Sequence, residues 1–297
     1  MKKINPSPSP EGDRVNITSK IFIDGGNPEE TKEAKKLLGF VDGQTTNPTL
    51  ISQNPEVKKR LTAREKFTKE EAKLFYKKVV TEIAEITSGP ISVEVFANKD
   101  TMAEEMIEEA KEMAGWVPNA YIKLPITQEG LRAAQEAVRY NLPINMTLCF
   151  SQEQAAAVYA ATKGAEKPVF ISPFVGRLDD QGEDGMSLVE NILRFYKKGD
   201  GHVLPLTASV RNVDHLLAAL KMFCPLITCP FRVIKEWEAR DFILPDENFV
   251  YQRKDLQPIP YEELSLEKNW SEYNIYHSLT KIGVEKFTAD WEAIIKS

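Results

Sequence analysis

The sequence predicts an α/β protein, a single (β/α)8 barrel with an N-terminal tail and an aromatic-rich insertion before the last helix. Short β-branched or apolar runs alternate along the chain with amphipathic stretches of helical period, which is typical of βα units around a parallel sheet. Eight such runs fit into 297 residues, an ordinary length for one barrel. An open doubly wound sheet is the alternative, but no Gly-x-Gly-x-x-Gly follows the first run.

The eight runs give the predicted strands. Each contains β-branched or apolar residues that favour extended backbone. In chain order they are Lys20–Asp24, Gly43–Thr46, Ile91–Phe96, Ala120–Leu124, Pro143–Leu148, Val169–Pro173, Val203–Ala208 and Pro225–Thr228.

Capping residues mark several helix ends between these strands. Capping boxes are predicted at Thr101–Glu104 and Ser151–Gln154, where a hydroxyl is followed three residues later by Glu or Gln. Thr127 and Asn212 are predicted N-caps because their side-chain oxygens can accept from free helix N–H groups. Gly39 is predicted to end the first helix.

The chain divides into four predicted segments. Residues 1–19 are rich in Pro, Ser and charge and predict a flexible tail. Residues 20–240 hold the barrel. Residues 241–276 lack a clean period but are rich in Pro and aromatic residues, which predicts an ordered insertion that packs on the barrel. Residues 277–297 carry the amphipathic pattern of a C-terminal helix.

The composition excludes several classes of protein. With 38 basic and 44 acidic residues the net charge is −6, which disfavours a nucleic-acid partner. The chain has no run of eighteen apolar residues, so we expect no membrane span. The chain begins with Lys2 and Lys3, as a signal peptide would, but Pro and Ser follow instead of an apolar stretch, which disfavours secretion. The three cysteines, Cys149, Cys224 and Cys229, form no paired framework, which suits a reducing compartment. We therefore expect a cytoplasmic protein.

Polar residues occur where barrel strands should face inward. Side chains alternate along a strand, so the isoleucines at 21 and 23 suit the helix side and the residues between and after them point into the barrel. The same alternation gives the whole inward set: Phe22, Asp24, Ser92, Glu94, Phe96, Tyr121, Lys123, Pro125, Asn145, Thr147, Phe170 and Ser172. Buried charges cost several kcal/mol unless paired. A satisfied core ion pair is the simple explanation, but two acids and a lysine at the carboxyl ends of barrel strands favour an active site.

The inward-facing side chains include the amine and the carboxylates that carbonyl chemistry requires. Burial disfavours the charged form of an amine, and a neutral lysine forms a Schiff base with a carbonyl. Carboxylates move the protons that dehydration and carbon–carbon cleavage require. No His or Cys cluster has metal spacing, so no metal is predicted, and His202, His215 and His277 are expected to be surface or partly buried bystanders.

Two arginines follow adjacent late strands. Arg177 follows the sixth strand and Arg211 the seventh, where barrels often bind phosphate. Either arginine alone would be interpreted as a partner in a salt bridge at the barrel rim. Together they favour a phosphorylated substrate, because the planar guanidinium fits phosphate oxygens.

Six motifs, in this order, resemble those of the transaldolase family, and they span about residues 20–240. They are Thr45-Thr46-Asn47-Pro48-Thr49-Leu50, Tyr121-Ile-Lys123-Leu-Pro125, Asn145-x-Thr147-Leu-x-Phe-Ser151, Ile171-Ser172-Pro-Phe-Val-Gly-Arg177, Ala208-Ser209-Val-Arg211-Asn212 and Pro230-Phe-x-Val-Ile234. The last helix, about 279–294, is also similar. The short bacterial-type members, together with the fructose-6-phosphate aldolases, are the nearest in pattern.

The resemblance implies roles for eleven residues. Lys123 falls on the Schiff-base lysine of the fourth strand, and Asp24 on the general acid/base aspartate of the first. Glu94 and Thr147 fall on the pair that holds a proton-shuttling water. The implied substrate-binding residues are Asn47, Asn145 and Ser172 at the dihydroxyacetone unit, Arg177, Ser209 and Arg211 at the phosphate, and Phe174.

The implied activity is transaldolase, in the non-oxidative pentose phosphate pathway. A dihydroxyacetone unit passes from fructose 6-phosphate or sedoheptulose 7-phosphate to an aldose phosphate, without a metal or organic cofactor. The partners are sugar phosphates and further copies of the chain, because in short relatives the last helix reaches a neighbouring subunit.

Three other functions stay open. Fructose-6-phosphate aldolases resemble this chain but usually carry Gln at position 94 and Tyr at position 174, where this sequence has Glu94 and Phe174. A non-catalytic sugar-phosphate-binding barrel would lack the lysine or an acid. A phosphate-binding isomerase barrel would use a Glu–His pair, and no His stands at a strand end here.

Overall fold

Eight parallel strands close into a barrel in this computed structural model, which describes residues 17–296 except 252 and 254. The strands are β1 Lys20–Asp24, β2 Gly43–Thr45, β3 Ile91–Glu94, β4 Ala120–Pro125, β5 Ile144–Cys149, β6 Val169–Pro173, β7 Val203–Thr207 and β8 Leu226–Cys229. Each strand pairs with the next along the chain, and β8 pairs with β1. The predicted (β/α)8 barrel is confirmed. Most of the predicted tail, residues 1–16, lies outside the described residues.

Twelve α-helices occur in the described part of the chain. They are α1 Pro28–Leu38, α2 Pro48–Ser52, α3 Pro55–Thr62, α4 Lys69–Ala84, α5 Ala103–Ala114, α6 Gln128–Arg139, α7 Gln152–Ala161, α8 Val175–Asp179, α9 Gly185–Tyr196, α10 Val213–Lys221, α11 Phe231–Glu238 and α12 Ser278–Ile294. None of these helices is long and apolar enough to cross a membrane.

Most of the predicted caps are confirmed. Thr127 Oγ1 accepts from Gly130 N–H at 3.0 Å, and Asn212 Oδ1 accepts from His215 N–H at 2.9 Å. Gly39 ends α1 with a φ of 78°, in the left-handed region that glycine adopts without strain. Ser151 caps α7 by accepting from Gln154 N–H at 3.1 Å.

Two details of the capping prediction are wrong. Helix α5 begins at Ala103, one residue later than expected. Glu105, instead of Glu104, accepts from the Met102 N–H at 2.9 Å. In the second box Gln154 Oε1 accepts from the Phe150 N–H, at 2.7 Å, and not from the N-cap residue.

Aromatic rings fill one layer of the barrel interior. Phe22 meets Phe170 edge to face at 6.2 Å between ring centroids, and Tyr121 stacks on Phe170 at 4.2 Å. These contacts confirm the predicted inward orientation of the three residues. Phe96 does not belong to a strand, because β3 ends at Glu94, and its ring stacks instead on Trp291 of α12 at 4.1 Å.

Within the predicted insertion, residues 257–275 lie along the outer faces of α7 and α9. Gln152 at the start of α7 donates to Pro260 O at 2.9 Å and accepts from Glu262 N–H at 3.0 Å. Asn191 of α9 donates to Ile259 O at 2.8 Å. The segment also adds a two-residue strand, Gln257–Pro258, beside Glu183–Asp184.

Helix α12 lies across the carboxyl ends of its own barrel strands. Thr280 Oγ1 donates to Leu148 O at 3.0 Å, near the end of β5. Thr288 Oγ1 donates to Ala97 O at 3.2 Å, just after β3, and Asp290 accepts from the hydroxyl of Thr49 after β2. In this chain the last helix therefore packs over the barrel from which it comes.

Replacing Gln152 with alanine should loosen the attachment of residues 259–262. The Gln152→Ala variant leaves a carbonyl and an N–H without their partner, so we expect the free energy of unfolding to fall by about 1–3 kcal/mol in urea denaturation. Gln128→Ala is the matched control, because Gln128 holds the same first position in α6 and is exposed. Equal effects of the two substitutions would contradict the attachment.

Candidate active site

A buried ion pair stands at the centre of the site. Lys123 on β4 lies directly beside Glu94 on β3 in the strand register, and Lys123 Nζ is 2.9 Å from Glu94 Oε2. Each residue is 3% exposed. Lys123 Nζ also donates to Thr46 O at 3.0 Å, so the amine is fixed by two oxygens.

The hydroxyl of Tyr76 on α4 contacts two residues at this ion pair, Glu94 and Thr46. It accepts from the Glu94 N–H at 3.0 Å and lies 2.6 Å from Thr46 Oγ1. Thr46 Oγ1 donates its own proton to Ser92 O at 2.7 Å, so the Tyr76 O–H donates to Thr46. Sequence reasoning missed Tyr76, because a tyrosine on the apolar face of a helix has no pattern that separates it from core residues.

Two opposing effects act on the pKa values of both acids of the site. Desolvation raises the pKa of Asp24 and that of Glu94, and the positive charge of Lys123 acts against it in each case. Asp24 Oδ1 accepts from Thr45 Oγ1 at 2.6 Å. Carboxyl groups with raised pKa values suit the uptake and return of protons.

Amide and hydroxyl groups line the barrel beside the lysine. Asn145, the register neighbour of Lys123 on β5, donates to Ser92 Oγ at 3.0 Å. Ser172 Oγ donates to Asn145 Oδ1 at 2.8 Å. Thr147 Oγ1 is buried and has no hydrogen-bond partner among the described residues. A buried orphan oxygen of this kind calls for a water or a ligand atom.

The two arginines differ in their surroundings. The Arg177 guanidinium lies 5.2 Å from the ring centroid of Phe174 and 5.3 Å from that of Phe287 on α12. It forms no salt bridge with any described residue, and desolvation lowers its pKa. Arg211 is half-exposed and pairs with Asp180 at 2.8 Å. The rim salt bridge, the simple alternative, therefore holds for Arg211 and not for Arg177.

A glycine allows the Arg211 side chain to lie close to α8. A Cβ at Gly176 would come within 2.4 Å of both Cγ and Nε of Arg211. The Gly176 N–H donates to Ser209 O at 3.1 Å. Ser209 has a φ of 57°, a conformation that residues with a side chain rarely adopt. The turn before Arg211 is thus held in an unusual shape.

These groups surround a cavity of about 310 Å³ at the carboxyl ends of the strands. Eight of the eleven predicted site residues line it: Asp24, Asn47, Lys123, Ser172, Phe174, Arg177, Ser209 and Arg211. Glu94, Asn145 and Thr147 are buried beside the lysine. Asn47 Oδ1 caps α2 by accepting from the Leu50 N–H at 2.9 Å, which leaves the amide nitrogen for a ligand.

Two further cations line this cavity, Arg232 of α11 and Lys286 of α12. Sequence reasoning missed both. Arg232 is the unassigned position of the Pro230–Ile234 motif, and Lys286 lies on a helix whose place over the barrel is set by tertiary packing. A larger cavity of about 830 Å³ borders Glu94 between α4 and α12 and does not include Lys123.

The histidine prediction is wrong for His215. Its side chain is fully buried and contacts both Asp179 and the backbone of Arg211. His202 contacts Asp200 and Thr162 away from the cavity, and His277 caps α12. The described residues contain no group of three or more His, Cys, Asp or Glu side chains that could hold a metal ion.

Comparison with known proteins agrees with this geometry. Residues 21–297 match a family model described as Transaldolase/Fructose-6-phosphate aldolase. A probable transaldolase of Methanococcus vannielii is 36% identical over 277 residues, which cover 93% of this chain and 99% of that protein. One of Roseiflexus castenholzii is 34% identical over 273 residues, 92% of this chain and 97% of the relative. A probable transaldolase of Thermoplasma volcanium is 39% identical over 216 residues, 73% and 86% of the two chains. This chain belongs to the transaldolase/fructose-6-phosphate aldolase family.

Proposed function

We propose that the protein is a transaldolase that transfers a dihydroxyacetone unit between sugar phosphates through a Schiff base on Lys123. The observation that carries the proposal is the buried amine, 2.9 Å from a carboxylate, at the base of a cavity whose rim carries two arginines. Donors of this chemistry are fructose 6-phosphate and sedoheptulose 7-phosphate. The names of the relatives support the same activity.

The first step joins Lys123 to the donor. Glu94 takes a proton from the ammonium at 2.9 Å, and the neutral amine attacks the C2 ketone to give a carbinolamine. Loss of the C2 hydroxyl as water, protonated by Glu94 through a water held with Thr147, gives the iminium. The unpartnered Thr147 hydroxyl supports a water at that place.

The second step breaks the C3–C4 bond. Asp24 takes the proton of the C4 hydroxyl, and the electron pair of the bond moves to the iminium nitrogen as the enamine forms. The aldose phosphate leaves. Because Asp24 lies in a desolvated place that raises its pKa, it can hold this proton until the reverse step.

The third step uses an acceptor aldose phosphate. C3 of the enamine attacks the aldehyde, and Asp24 returns its proton to the new hydroxyl. Water then releases the lengthened ketose from Lys123. The iminium serves as the electron sink, so the proposal includes no metal or organic cofactor.

Glu94 and Phe174 favour the transferase over the aldolase. A carboxylate at position 94 pairs with the lysine, which a glutamine cannot do with a full charge. Phe174 packs against Phe150 at 5.9 Å and offers no hydroxyl to a water. Fructose-6-phosphate aldolase is the second candidate function, since the matching family model names both activities.

Arg177, Ser209 and Arg211, which all line the cavity, are proposed to bind the phosphate. An unpaired guanidinium in a partly desolvated place needs an anion, which favours this role for Arg177. Asn47, Asn145 and Ser172 are proposed to hold the dihydroxyacetone hydroxyls. The proposal also includes the non-oxidative pentose phosphate pathway, a cytoplasmic location and a homo-oligomer.

Borohydride trapping tests the Schiff base. The wild-type protein incubated with dihydroxyacetone and borohydride should gain the mass of one reduced dihydroxyacetone unit at Lys123, because the imine is reduced to a stable amine. Lys123→Met should gain none and lose turnover, with unchanged circular dichroism. The control, Lys99→Met, removes an exposed lysine and should behave as wild type. Trapped adduct or turnover in Lys123→Met would overturn the proposal.

Gly176→Ala tests the phosphate end. The added Cβ would collide with the Arg211 side chain at 2.4 Å, so we expect the KM for fructose 6-phosphate to rise about tenfold. Imine trapping with dihydroxyacetone, which has no phosphate, should keep its rate. Gly115→Ala is the control, because its Cβ would meet only Glu112 O, at 3.4 Å. Equal losses for both compounds would remove Arg211 from the phosphate site.

A further inference from the structure

We propose that His215 is a positioning residue that holds the backbone of Arg211 for phosphate binding, and that Asp179 sets the tautomer in which it does so. The inference rests on the proposed function, which gives Arg211 its phosphate. His215 itself does not line the substrate cavity. Its effect on the substrate passes through Arg211.

The contacts form a short chain from α8 to the turn after β7. His215 Nε2 lies 2.8 Å from Asp179 Oδ2, at the end of α8. On the other side of the ring, His215 Nδ1 lies 3.2 Å from the backbone nitrogen of Arg211 and accepts from its N–H. The second oxygen of Asp179 accepts from the Gly185 N–H at 3.1 Å, which fixes the carboxylate at the start of α9.

This arrangement determines the proton on the imidazole ring. A carboxylate only accepts hydrogen bonds, so the proton of the neutral ring is on Nε2, facing Asp179. Nδ1 is then free to accept from Arg211. A doubly protonated ring would direct an N–H of its own at the N–H of Arg211, so the contact requires neutral His215 with Asp179 in place.

The backbone carbonyl of Arg211 is also bound by a side chain. Arg232 of α11 donates through Nη1 to Arg211 O at 2.6 Å. Both polar groups of the Arg211 backbone are therefore bound to side chains from two neighbouring helices. The start of the side chain packs against Gly176, so the guanidinium, which pairs with the exposed Asp180 at 2.8 Å, is the part of Arg211 that can meet a phosphate.

Tyr251, in the predicted insertion, packs beside this chain of contacts. The ring of Tyr251 lies 5.8 Å from that of His215, and the histidine side chain is fully buried. A hydrogen bond shielded from water is stronger than an exposed one, because water does not compete for its atoms. Tyr251 thus helps to shield the contacts that hold Arg211, although it does not line the cavity.

Asp179→Asn is the sharpest test, since it inverts the tautomer at nearly constant shape. The amide oxygen still accepts from Gly185, and the amide nitrogen donates to His215 Nε2, so the ring proton moves to Nδ1 and faces the Arg211 N–H. We expect the Kd for inorganic phosphate, measured by calorimetry, and the KM for fructose 6-phosphate to rise about tenfold. The kcat and the rate of dihydroxyacetone imine trapping should stay within about twofold.

A second pair of variants separates positioning from folding. His215→Leu removes the acceptor and should match Asp179→Asn. His215→Asn keeps an oxygen near the place of Nδ1 and should recover phosphate affinity to within about threefold of wild type. The control is Asp200→Asn, at a second His–Asp contact, that of His202, which lies away from the cavity and should change nothing.

The outcomes distinguish this inference from the proposed function. Unchanged phosphate affinity in Asp179→Asn and His215→Leu would overturn the inference, as would a parallel loss of imine trapping and melting temperature. A wild-type protein that traps no imine would instead overturn the proposed function. The phosphate titration would still decide the role of His215 in that case, because it needs no reaction at Lys123.

Discussion

Removing the Lys123 ammonium and the Glu94 carboxylate from water costs several kcal/mol for each ion, and this cost constrains the rest of the site. The charges are tolerable only as a pair, and the β3–β4 register brings them to 2.9 Å. Thr46 O accepts a hydrogen bond from the Lys123 ammonium, and Tyr76 accepts one from the backbone N–H of Glu94. The barrel thus holds the lysine amine next to a carboxylate, which is the preorganisation that the proposed chemistry needs.

The two chain segments outside the regular βα units both support this site. Helix α12 covers the strand ends of its own barrel and brings Lys286 and Phe287 to the cavity. In the predicted insertion, residues 257–275 run outside α7 and α9, and Tyr251 packs beside the buried ring of His215.

The barrel and most of the site were predictable because both depend on local pattern. Alternation along each strand gives the inward face, and parallel strands bring their carboxyl ends together, so Asp24, Lys123 and Ser172 had to meet. Tyr76, Lys286 and His215 were not predictable in this way. Their positions depend on how helices pack against the barrel, and a helix pattern does not distinguish a core residue from one that binds a catalytic strand. Strand β3 ends earlier than predicted for the same reason, because Phe96 packs on α12.

In the proposed reaction, the three-carbon unit stays on Lys123 until an acceptor takes it. The direct measurement is the release of glyceraldehyde 3-phosphate from fructose 6-phosphate, with and without erythrose 4-phosphate. A transaldolase gives continuous release only with the acceptor, and at most one equivalent per site without it. Sustained release in the absence of erythrose 4-phosphate would contradict the account and identify an aldolase.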